Sequence, residues 1–310
     1  MKIFLWHVHG GYTNSFVQGT HEYLLPVLQG RGPDGRGRSQ TFDWPESVVE
    51  VTPEQAGDAD VDLVVLQRPE ELQLAEQWLG RAPGRDVPAV YLEHSLPQGR
   101  IGEMRHPVAD RDDLLLVHVT HFNSLFWDAG TTSTRVIEHG IVDPGYRYSG
   151  ELARAAVVVN EPVRRGRVTG TDLLPSLNGR VAIDLFGMGT DELGGLGDVA
   201  PPQLWDEMAR RRVYVHPIRW TSLGFSLLEA MHLGMPVVAL ATTEVVEAVP
   251  PEAGVLSTRV DTLADGIRRL VDHPAEARRT GRAGREAALA RYGLDRFLSD
   301  WDELLAEVAR

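Results

Sequence analysis

The chain has 310 residues, of which 43% are hydrophobic and 24% charged, and its formal net charge is −13. This composition excludes a disordered or fibrous chain, and the acidic balance argues against a nucleic-acid partner. The chain contains no cysteine, which excludes disulfides, thiolate zinc sites and cysteine nucleophiles.

No apolar run approaches the roughly 20 residues of a membrane-spanning helix, and the start of the chain lacks a signal-peptide cleavage site. We therefore expect a cytoplasmic protein without a transmembrane segment. Peripheral contact with a membrane and the oligomeric state are left open.

Short apolar runs alternate with amphipathic stretches along the first half of the chain, a pattern typical of βαβ units. Predicted strands cover residues 3–8, 61–66, 89–92, 114–119 and 135–137. Predicted helices cover residues 15–28, 70–79 and 123–129. A cluster of glycines and a proline between residues 140 and 150 then predicts a linker.

The alternation starts again after this linker. Predicted strands cover residues 155–159, 181–186, 213–215 and 237–240. Predicted helices cover residues 172–177, 202–209, 224–233, 263–271, 274–291 and 294–308. The fold class is therefore α/β, with two Rossmann-like doubly wound parallel-sheet domains. Ligands of such folds bind at the carboxyl ends of the strands, so we expect a cleft between the two sheets.

The most informative segment is residues 217–238, which reads strand, loop, helix, turn, strand. Thr221, Ser222 and Gly224 fall at the start of the predicted helix, with Ser222 as the expected N-cap. Free N–H groups and the helix dipole make such a terminus suitable for an anion. Glu229 lies further along the helix, where its carboxylate could accept hydrogen bonds from a diol such as a ribose, or could simply be solvated.

This segment resembles the signature of retaining GT-B glycosyltransferases of the family 4 type, the glycosyl transferases group 1. The matching positions are Gly224, the run Glu229-Ala230-Met231, Gly234 and the run Pro236-Val237-Val238. The first glutamate of that signature is replaced here by Thr221. The resemblance implies that Thr221, Ser222, Leu223, Gly224 and Glu229 contact a nucleotide-sugar donor.

The resemblance also implies a division of the chain. Residues 1–145 would form a Rossmann-like acceptor domain, and residues 146–293 would form the Rossmann-like donor domain. Helix 294–310 would pack back on the first domain.

Three arginines, Arg164, Arg165 and Arg167, lie within four positions after the strand at 155–159. Guanidinium groups bind phosphate oxygens well, although the segment could also be a solvated loop. The resemblance places a diphosphate here, with Thr169 standing where the family has a lysine. We expect Arg165 and Arg167 to stabilise the leaving diphosphate and Arg164 and Thr169 to assist in binding it.

Gly10 and Gly11 follow the first strand, where glycine allows a ligand to approach the backbone closely, and the family has a glycine-rich loop at this position. His94 ends a predicted strand, and the resemblance matches it to a histidine near the sugar and the acceptor. A structural role for His94 is the alternative. His139 falls at the linker and is expected to be structural.

No convincing metal motif occurs in the sequence. Asp58, Asp60 and Asp62 form two D-x-D patterns but precede a strand, and the histidines lack a carboxylate at ligand spacing. The resemblance implies a metal-independent enzyme, and we predict no cofactor beyond the nucleotide sugar.

The leading interpretation is a retaining, hexosyltransferase-like glycosyltransferase. It would move a sugar from a nucleotide-diphosphate sugar to a hydroxyl-bearing acceptor, such as a glycan, a glycolipid or a secondary metabolite. One alternative is an epimerase or hydrolase of the same fold. A non-catalytic nucleotide-sugar-binding module is a second alternative, because Thr221 departs from the signature.

Overall fold

A computed structural model describes residues 1–178 and 181–310 of the chain. Its contacts divide the chain into two compact units. The N-terminal unit comprises Met1–Val142 together with Leu294–Arg310, and the C-terminal unit comprises Asp143–Gly293.

Strands and helices alternate through both units. In chain order the strands are β1 (Lys2–Leu5), β2 (Glu22–Pro26), β3 (Val48–Val51), β4 (Leu63–Leu66), β5 (Ala89–Glu93), β6 (Leu115–His118), β7 (Ser133–Val136), β8 (Leu152–Val158), β9 (Ile183–Phe186), β10 (Arg211–His216), β11 (Val237–Leu240) and β12 (Gly254–Ser257). The α-helices are α1 (Gly10–Phe16), α2 (Pro53–Gly57), α3 (Glu70–Leu79), α4 (His121–Phe126), α5 (Pro162–Arg165), α6 (Leu174–Asn178), α7 (Pro201–Arg210), α8 (Phe225–Leu233), α9 (Val245–Ala248), α10 (Val260–Asp272), α11 (Pro274–Tyr292) and α12 (Leu294–Val308).

The sheet of the N-terminal unit is parallel throughout, in the order β3-β2-β1-β4-β5-β6-β7. The chain runs outward from β1 to β3 and then returns to place β4 on the other side of β1. This reversal makes β1 and β4 the switch point, where loops diverge at the carboxyl edge and leave a crevice for a ligand. The loops that begin after β1 and β4 carry Gly10 and Gln67.

Helix α12 belongs to the N-terminal unit, although it ends the chain. Its apolar stripe buries Phe297 and Trp301 completely. The Trp301 indole N–H donates to the Tyr12 hydroxyl at 3.0 Å, and the Trp301 ring contacts Phe16 edge to face. Phe297 packs so close to Gly140 that a Cβ there would lie 2.3 Å from the Phe297 Cβ. These contacts make α12 part of the core around α1.

The sheet of the C-terminal unit is also parallel, in the order β12-β11-β10-β8-β9 among the described residues. Here β8 and β10 flank the point where the strand order reverses, so the loops after these two strands border the second crevice. Helix α8 follows β10 and precedes β11 along the chain. Its C-cap is Gly234, whose φ of +85° favours glycine. A side chain at Gly234 would also collide with the Tyr146 ring.

The predicted helix over 15–28 is wrong beyond residue 16, so only its first two residues are helical. Helix α1 ends at Phe16, and Glu22–Pro26 is a strand between β1 and β3. Tyr23, Leu24 and Leu25 are all buried, and a short run of consecutive apolar residues suits a strand covered on both faces as well as it suits a helix.

Several other boundaries also differ from the sequence-based expectation. The predicted helix 172–177 begins as a 3-10 turn at Thr171–Leu173 and becomes α-helical only from Leu174. Strands β3 and β12 and helices α2 and α9 were not predicted. Among the described residues, no helix is both long and apolar enough to cross a membrane.

Candidate functional site

The arginine loop, residues 160–172, leaves the carboxyl end of β8 in the C-terminal unit. Its second residue is Glu161, whose φ of +52° is uncommon for a residue other than glycine. The Glu161 N–H donates to Met188 O at 2.7 Å, which ties this loop to the loop after β9. The backbone then forms α5 and a 3-10 turn at Gly166–Thr169. A strained residue held in this way at a loop entrance is typical of ligand-binding sites.

The arginine loop lies against the segment that follows β10. Gly170 has a φ of +73°, and a Cβ there would lie 1.8 Å from Pro217 O, so only glycine fits. Arg219 donates its backbone N–H to Val168 O at 2.8 Å, and its guanidinium binds both Asp172 carboxylate oxygens, at 2.5 and 2.9 Å. Sequence reasoning missed Arg219. Its signal was a single arginine inside the most informative motif, at the same crevice as the three loop arginines.

The three loop arginines have different partners. Arg164 is exposed and forms an ion pair with Glu161, with one contact at 2.8 Å. Arg167 is also exposed and forms an ion pair with Asp172 at 2.9 Å. Both guanidinium groups therefore have a carboxylate partner within the loop, and Arg167 shares its partner with Arg219.

Arg165 differs from the other two arginines because it has no carboxylate partner among residues 1–178 and 181–310. It is half-buried, and it makes one long hydrogen bond of 3.5 Å to Asn160 O. Burial, followed by repulsion from Arg164, lowers the pKa of Arg165 below its usual range. A half-buried guanidinium that is not in contact with a carboxylate is suited to bind an anion.

Thr169 is fully buried, and its hydroxyl donates to Gly166 O at 2.8 Å. Thr171 Oγ1 lies 3.1 Å from the same hydroxyl. The structure therefore places Thr169 inside the loop, where it holds the 3-10 turn in shape.

Helix α8 starts one residue later than predicted and is capped differently. The N-cap is Gly224 rather than Ser222, because Ser222 lies two residues before it and is buried. Thr221 is half-buried and Leu223 is buried in the same segment. A Cβ at Gly224 would lie 2.6 Å from Cε1 of His216, so glycine lets the helix start pack directly on that ring.

Beneath the start of α8 lies a buried polar pair on β10. The Tyr214 hydroxyl is 2.9 Å from Ser226 Oγ and 3.4 Å from Nδ1 of His216. Burial lowers the pKa of His216 to about 4, so this imidazole is neutral at pH 7. Tyr214 and His216, which lie beneath the start of α8, therefore carry no charge at pH 7.

Glu229 is half-buried on α8. Burial raises the pKa of its carboxyl to about 7, and the nearby Trp205 indole of α7 offsets part of that shift. A carboxyl with a raised pKa in a crevice is a common property of functional groups. Trp205 was not singled out from the sequence, since it occurs in an ordinary amphipathic helix.

In the N-terminal unit, Gly10 is the first residue of α1 and Gly11 the second. A Cβ at Gly10 would lie 3.6 Å from Nε2 of His7 and 3.7 Å from Phe42, which are ordinary contact distances. The fold therefore accepts a side chain at Gly10.

His94 follows β5 directly and is half-buried. Its Nε2 lies 2.9 Å from Oε1 of Gln67, and its ring centroid lies 4.2 Å from that of His9 and 4.6 Å from that of Tyr12. Burial, followed by the neighbouring histidines His9 and His139, holds the pKa of His94 well below its usual range. A neutral imidazole at the carboxyl edge of the sheet can exchange hydrogen bonds or a proton with a ligand.

His139 is buried in the N-terminal unit, and its ring lies 5.8 Å from that of Tyr12. Burial lowers its pKa to about 3. The aspartates of the D-x-D patterns are not brought together into a metal site; Asp62 accepts the Lys2 backbone N–H at 2.7 Å. Across the part of the chain that the structure describes, no group of three or more His, Cys, Asp or Glu side chains could hold a metal ion.

Comparisons with known proteins agree with this architecture. The family model described as "Glycosyl transferases group 1" matches residues 190–287, which include α8 and Glu229. Curated protein sequences give no significant match.

Several solved structures share the fold over nearly the whole chain. Sucrose-phosphate synthase from Thermosynechococcus elongatus is 14% identical with a TM-score of 0.75, over 99% of this chain and 98% of that one. Alr3699/HepE of Anabaena, solved with UDP, is 16% identical with a TM-score of 0.73, over 99% and 100% of the two chains. A glycosyltransferase from Rickettsia africae is 12% identical with a TM-score of 0.64, over 100% and 98%.

At these identities the solved structures show the fold alone. Together with the two parallel sheets, they show that this chain has the GT-B fold. The group 1 match covers residues 190–287, which lie in the C-terminal unit.

Proposed function

We propose that the protein is a retaining glycosyltransferase of the family 4 type, which transfers a sugar from a nucleotide-diphosphate sugar to a hydroxyl-bearing acceptor. The observation that carries this proposal is the group 1 match over residues 190–287. That segment contains α8, whose start borders the same crevice as Arg165 and whose length carries Glu229. A nucleoside diphosphate has an anionic diphosphate and a ribose diol. A helix with an anion site at its start and a carboxylate along its length suits both groups.

The donor would bind on the C-terminal unit. Glu229 would accept hydrogen bonds from the ribose, and Arg165 with the N–H groups at the start of α8 would hold the diphosphate. Arg164, Arg167 and Arg219 would act mainly through the shape of the loop, because each is already ion-paired, Arg164 with Glu161 and the other two with Asp172. Thr221 and Leu223 would flank the diphosphate.

UDP is the nucleotide that we propose. Alr3699/HepE was solved with UDP and with UDP-glucose, and two further structures of the same fold, TarM of S. aureus and a pneumococcal O-GlcNAc transferase, were solved with UDP. These proteins are distant relatives in sequence, so the choice of base is an analogy of fold.

The reaction would break the bond between the anomeric carbon and the diphosphate and form a new bond to the acceptor oxygen, with the configuration at that carbon retained. The leaving diphosphate accumulates negative charge, which preorganised cations and N–H groups can stabilise. Arg165 and the start of α8 supply such groups, so we propose that the reaction needs no metal ion. The acceptor would bind on the N-terminal unit near Gly10, Gly11 and His94.

A thermal-shift comparison of UDP, GDP, dTDP and ADP tests the proposal. Ligand at 100 times its Kd stabilises the folded protein by about 2.7 kcal/mol. We expect UDP to raise the melting temperature most. Equal shifts from all four nucleotides would contradict the choice of UDP, and the absence of any shift would contradict nucleotide-sugar binding.

Thr221 replaces the first glutamate of the signature, and this replacement favours the alternative of a non-catalytic binding module. Incubation with UDP-sugars separates the candidates. Transfer that requires an added hydroxyl acceptor supports the transferase. Product without an acceptor indicates an epimerase or hydrolase, and binding without any turnover indicates a binding module.

A further inference from the structure

His7 lies two residues after β1, at the carboxyl edge of the N-terminal sheet beside its switch point, and is half-buried. Its imidazole packs edge to face on the ring of Trp44, with 4.8 Å between the ring centroids. Nδ1 of His7 lies 3.1 Å from Gly37 O. The proposed function gives this side chain no role.

The partner of Nδ1 decides where the proton of the neutral His7 ring sits. A backbone carbonyl can only accept a hydrogen bond, so Nδ1 must be the donor to Gly37 O. Burial lowers the pKa of His7, an effect that this hydrogen bond partly offsets and the charge of Arg36 reinforces, so the ring is neutral at pH 8. Nε2 therefore holds a lone pair. It is not buried, and it makes no hydrogen bond to residues 1–178 or 181–310.

The groups that hold the His7 ring are themselves fixed. Gly37 has a φ of +65°, which favours glycine, and its N–H donates to Pro26 O on β2 at 3.0 Å. Trp44 is buried, and its indole N–H donates to Asn14 Oδ1 on α1 at 3.1 Å. A fixed carbonyl and a fixed ring together hold the imidazole in one orientation.

Nε2 of His7 lies close to the backbone of Gly10 at the start of α1. A Cβ at Gly10 would lie 3.6 Å from Nε2 of His7 and 3.7 Å from Cε2 of Phe42. A side chain at this position would therefore touch both rings without a collision. Glycine allows another group to approach Nε2 instead.

We propose that His7 and Gly10 form a subsite for a sugar hydroxyl, which donates its hydrogen bond to Nε2 of His7. The proposal rests on the proposed function in that this sugar would belong to the acceptor. A ring nitrogen with a lone pair accepts a hydrogen bond and cannot donate one. The subsite therefore selects a hydroxyl and rejects an oxygen that carries no proton, such as an ionised phosphate oxygen.

The subsite can be tested by ¹⁵N NMR on the histidine-labelled full chain at pH 8. Loss of signals in His7→Gln assigns the resonances among the 11 histidines. We expect a protonated Nδ1 and an unprotonated Nε2 in the free protein. Methyl α-D-glucopyranoside, a neutral sugar, should shift the Nε2 resonance, because the lone pair then accepts a hydrogen bond. Sulfate, which has no proton to donate, should not. A protonated Nε2, no shift with the glucoside or an equal shift with sulfate would overturn the proposal.

Gly10→Ala tests the same subsite by closing it. The added methyl group lies at an ordinary contact distance from Nε2, so the fold should persist while the hydroxyl is blocked. We expect the Kd for the glucoside to rise at least about tenfold, with the tautomer of His7 unchanged. Gly30→Ala is the matched control, because Gly30 is exposed and a Cβ there would meet no atom of the described residues within 4 Å. Equal Kd values for the two variants would contradict the subsite.

Two replacements of His7 separate the lone pair from the ring. His7→Gln places an amide oxygen near the position of Nε2 and should retain part of the glucoside binding. His7→Phe keeps a ring on Trp44 but has no acceptor, so it should lose binding as Gly10→Ala does. Equal binding by the Gln and Phe variants would contradict a role for the lone pair.

None of these measurements requires turnover or a nucleotide. Glucoside binding with this pattern in a protein that does not bind UDP would contradict the proposed function and support the subsite. Sugar transfer from UDP-glucose by a protein whose His7 Nε2 does not respond to the glucoside would overturn the subsite alone.

Discussion

Arg164, Arg165 and Arg167 show how residues of one type acquire different roles within four positions. The sequence predicts a cationic loop at this place, but it does not show which charge is left for a ligand. Arg164 is paired by Glu161 three residues earlier, and Arg167 shares Asp172 with Arg219, which is 47 residues further along the chain from Asp172. Only the fold brings that last pair together, so the distinct position of Arg165 could not be predicted.

Replacing Arg165 with alanine should weaken UDP-glucose binding. Charge-assisted hydrogen bonds are worth about 1.5–3 kcal/mol each, so the Kd should rise at least tenfold. Isothermal titration calorimetry on the full chain measures this change.

Arg164→Ala and Arg167→Ala are matched controls on the same loop. Their ion pairs are exposed, and exposed pairs contribute about 0–1 kcal/mol. We expect each to change the Kd less than about fivefold. An Arg165→Ala variant that binds as tightly as these two would disprove the special role of Arg165.

The raised pKa of Glu229 predicts a pH dependence of donor binding. A ribose diol donates to a carboxylate, so the ligand selects the ionised form. With a pKa of about 7 in the free protein, the ionised fraction falls as the pH drops below 7. Affinity for UDP-glucose, whose diphosphate diester does not titrate in this range, should fall about tenfold from pH 8 to pH 6.

Glu229→Gln removes the titrating group and should give a weaker Kd that does not change over the same pH range.

The same variant tests how Glu229 affects the stability of the folded chain. The pKa of the Glu229 carboxyl is higher in the folded chain than in the unfolded chain. Its contribution to the free energy of unfolding is therefore full below the unfolded pKa and is lost as the pH rises to about 7. Above pH 7 the free energy of unfolding of the variant, measured by urea titration, should exceed that of the wild type by on the order of 3 kcal/mol. A pH-independent Kd in the wild type would contradict this account of Glu229.

At the scale of elements, sequence patterns succeeded where they were long or strongly periodic. The spacing of Phe297, Trp301, Leu304 and Leu305 predicts the helix that the structure has as α12, and the turn at Gly234 correctly ends α8. Short elements were harder, since Glu22–Pro26 and Val48–Val51 carry too few residues for their period to be read. Pairing with β1 decides that Glu22–Pro26 is a strand, and such pairing is a long-range effect.

Helix α12 yields a prediction at this scale. Deleting residues 294–310 removes the Phe297 and Trp301 side chains from the core around α1, and losing one such aromatic side chain typically costs about 3–5 kcal/mol. We expect faster hydrogen exchange throughout residues 1–142, above all in α1 and β2. Hydrogen-exchange mass spectrometry of the truncated chain measures this.

The control for the deletion is Glu303→Ala, an exposed position on the same helix that should leave exchange unchanged. Exchange that becomes faster only in residues 143–293 would show that α12 does not stabilise the N-terminal unit.

At the scale of the whole molecule, the alternation of strands and helices predicts two Rossmann-like α/β domains, and the resemblance of the 217–238 motif implies the GT-B fold. The comparison with solved structures confirms that fold. Strand order could not be predicted, because periodicity does not show which strand lies between which. The order matters for the site. In the N-terminal sheet it places Gly10 at the switch point, after β1, and in the C-terminal sheet it places the arginine loop at the switch point, after β8.

The proposed chemistry also predicts behaviour toward metal ions. If Arg165 and the start of α8 stabilise the leaving diphosphate, transferase activity should persist in excess EDTA at about its original rate. Activity that disappears in EDTA and returns with magnesium or manganese would instead point to a bound cation and contradict metal independence.

The central claim is that a nucleotide-diphosphate sugar binds on the C-terminal unit, with its ribose at Glu229 and its diphosphate at Arg165. A crystal structure of the full chain with UDP tests this most directly. The account predicts ribose hydroxyls within hydrogen-bond distance of the Glu229 carboxylate and diphosphate oxygens on the Arg165 guanidinium. UDP held by residues 1–142, or bound on the C-terminal unit away from both side chains, would contradict it.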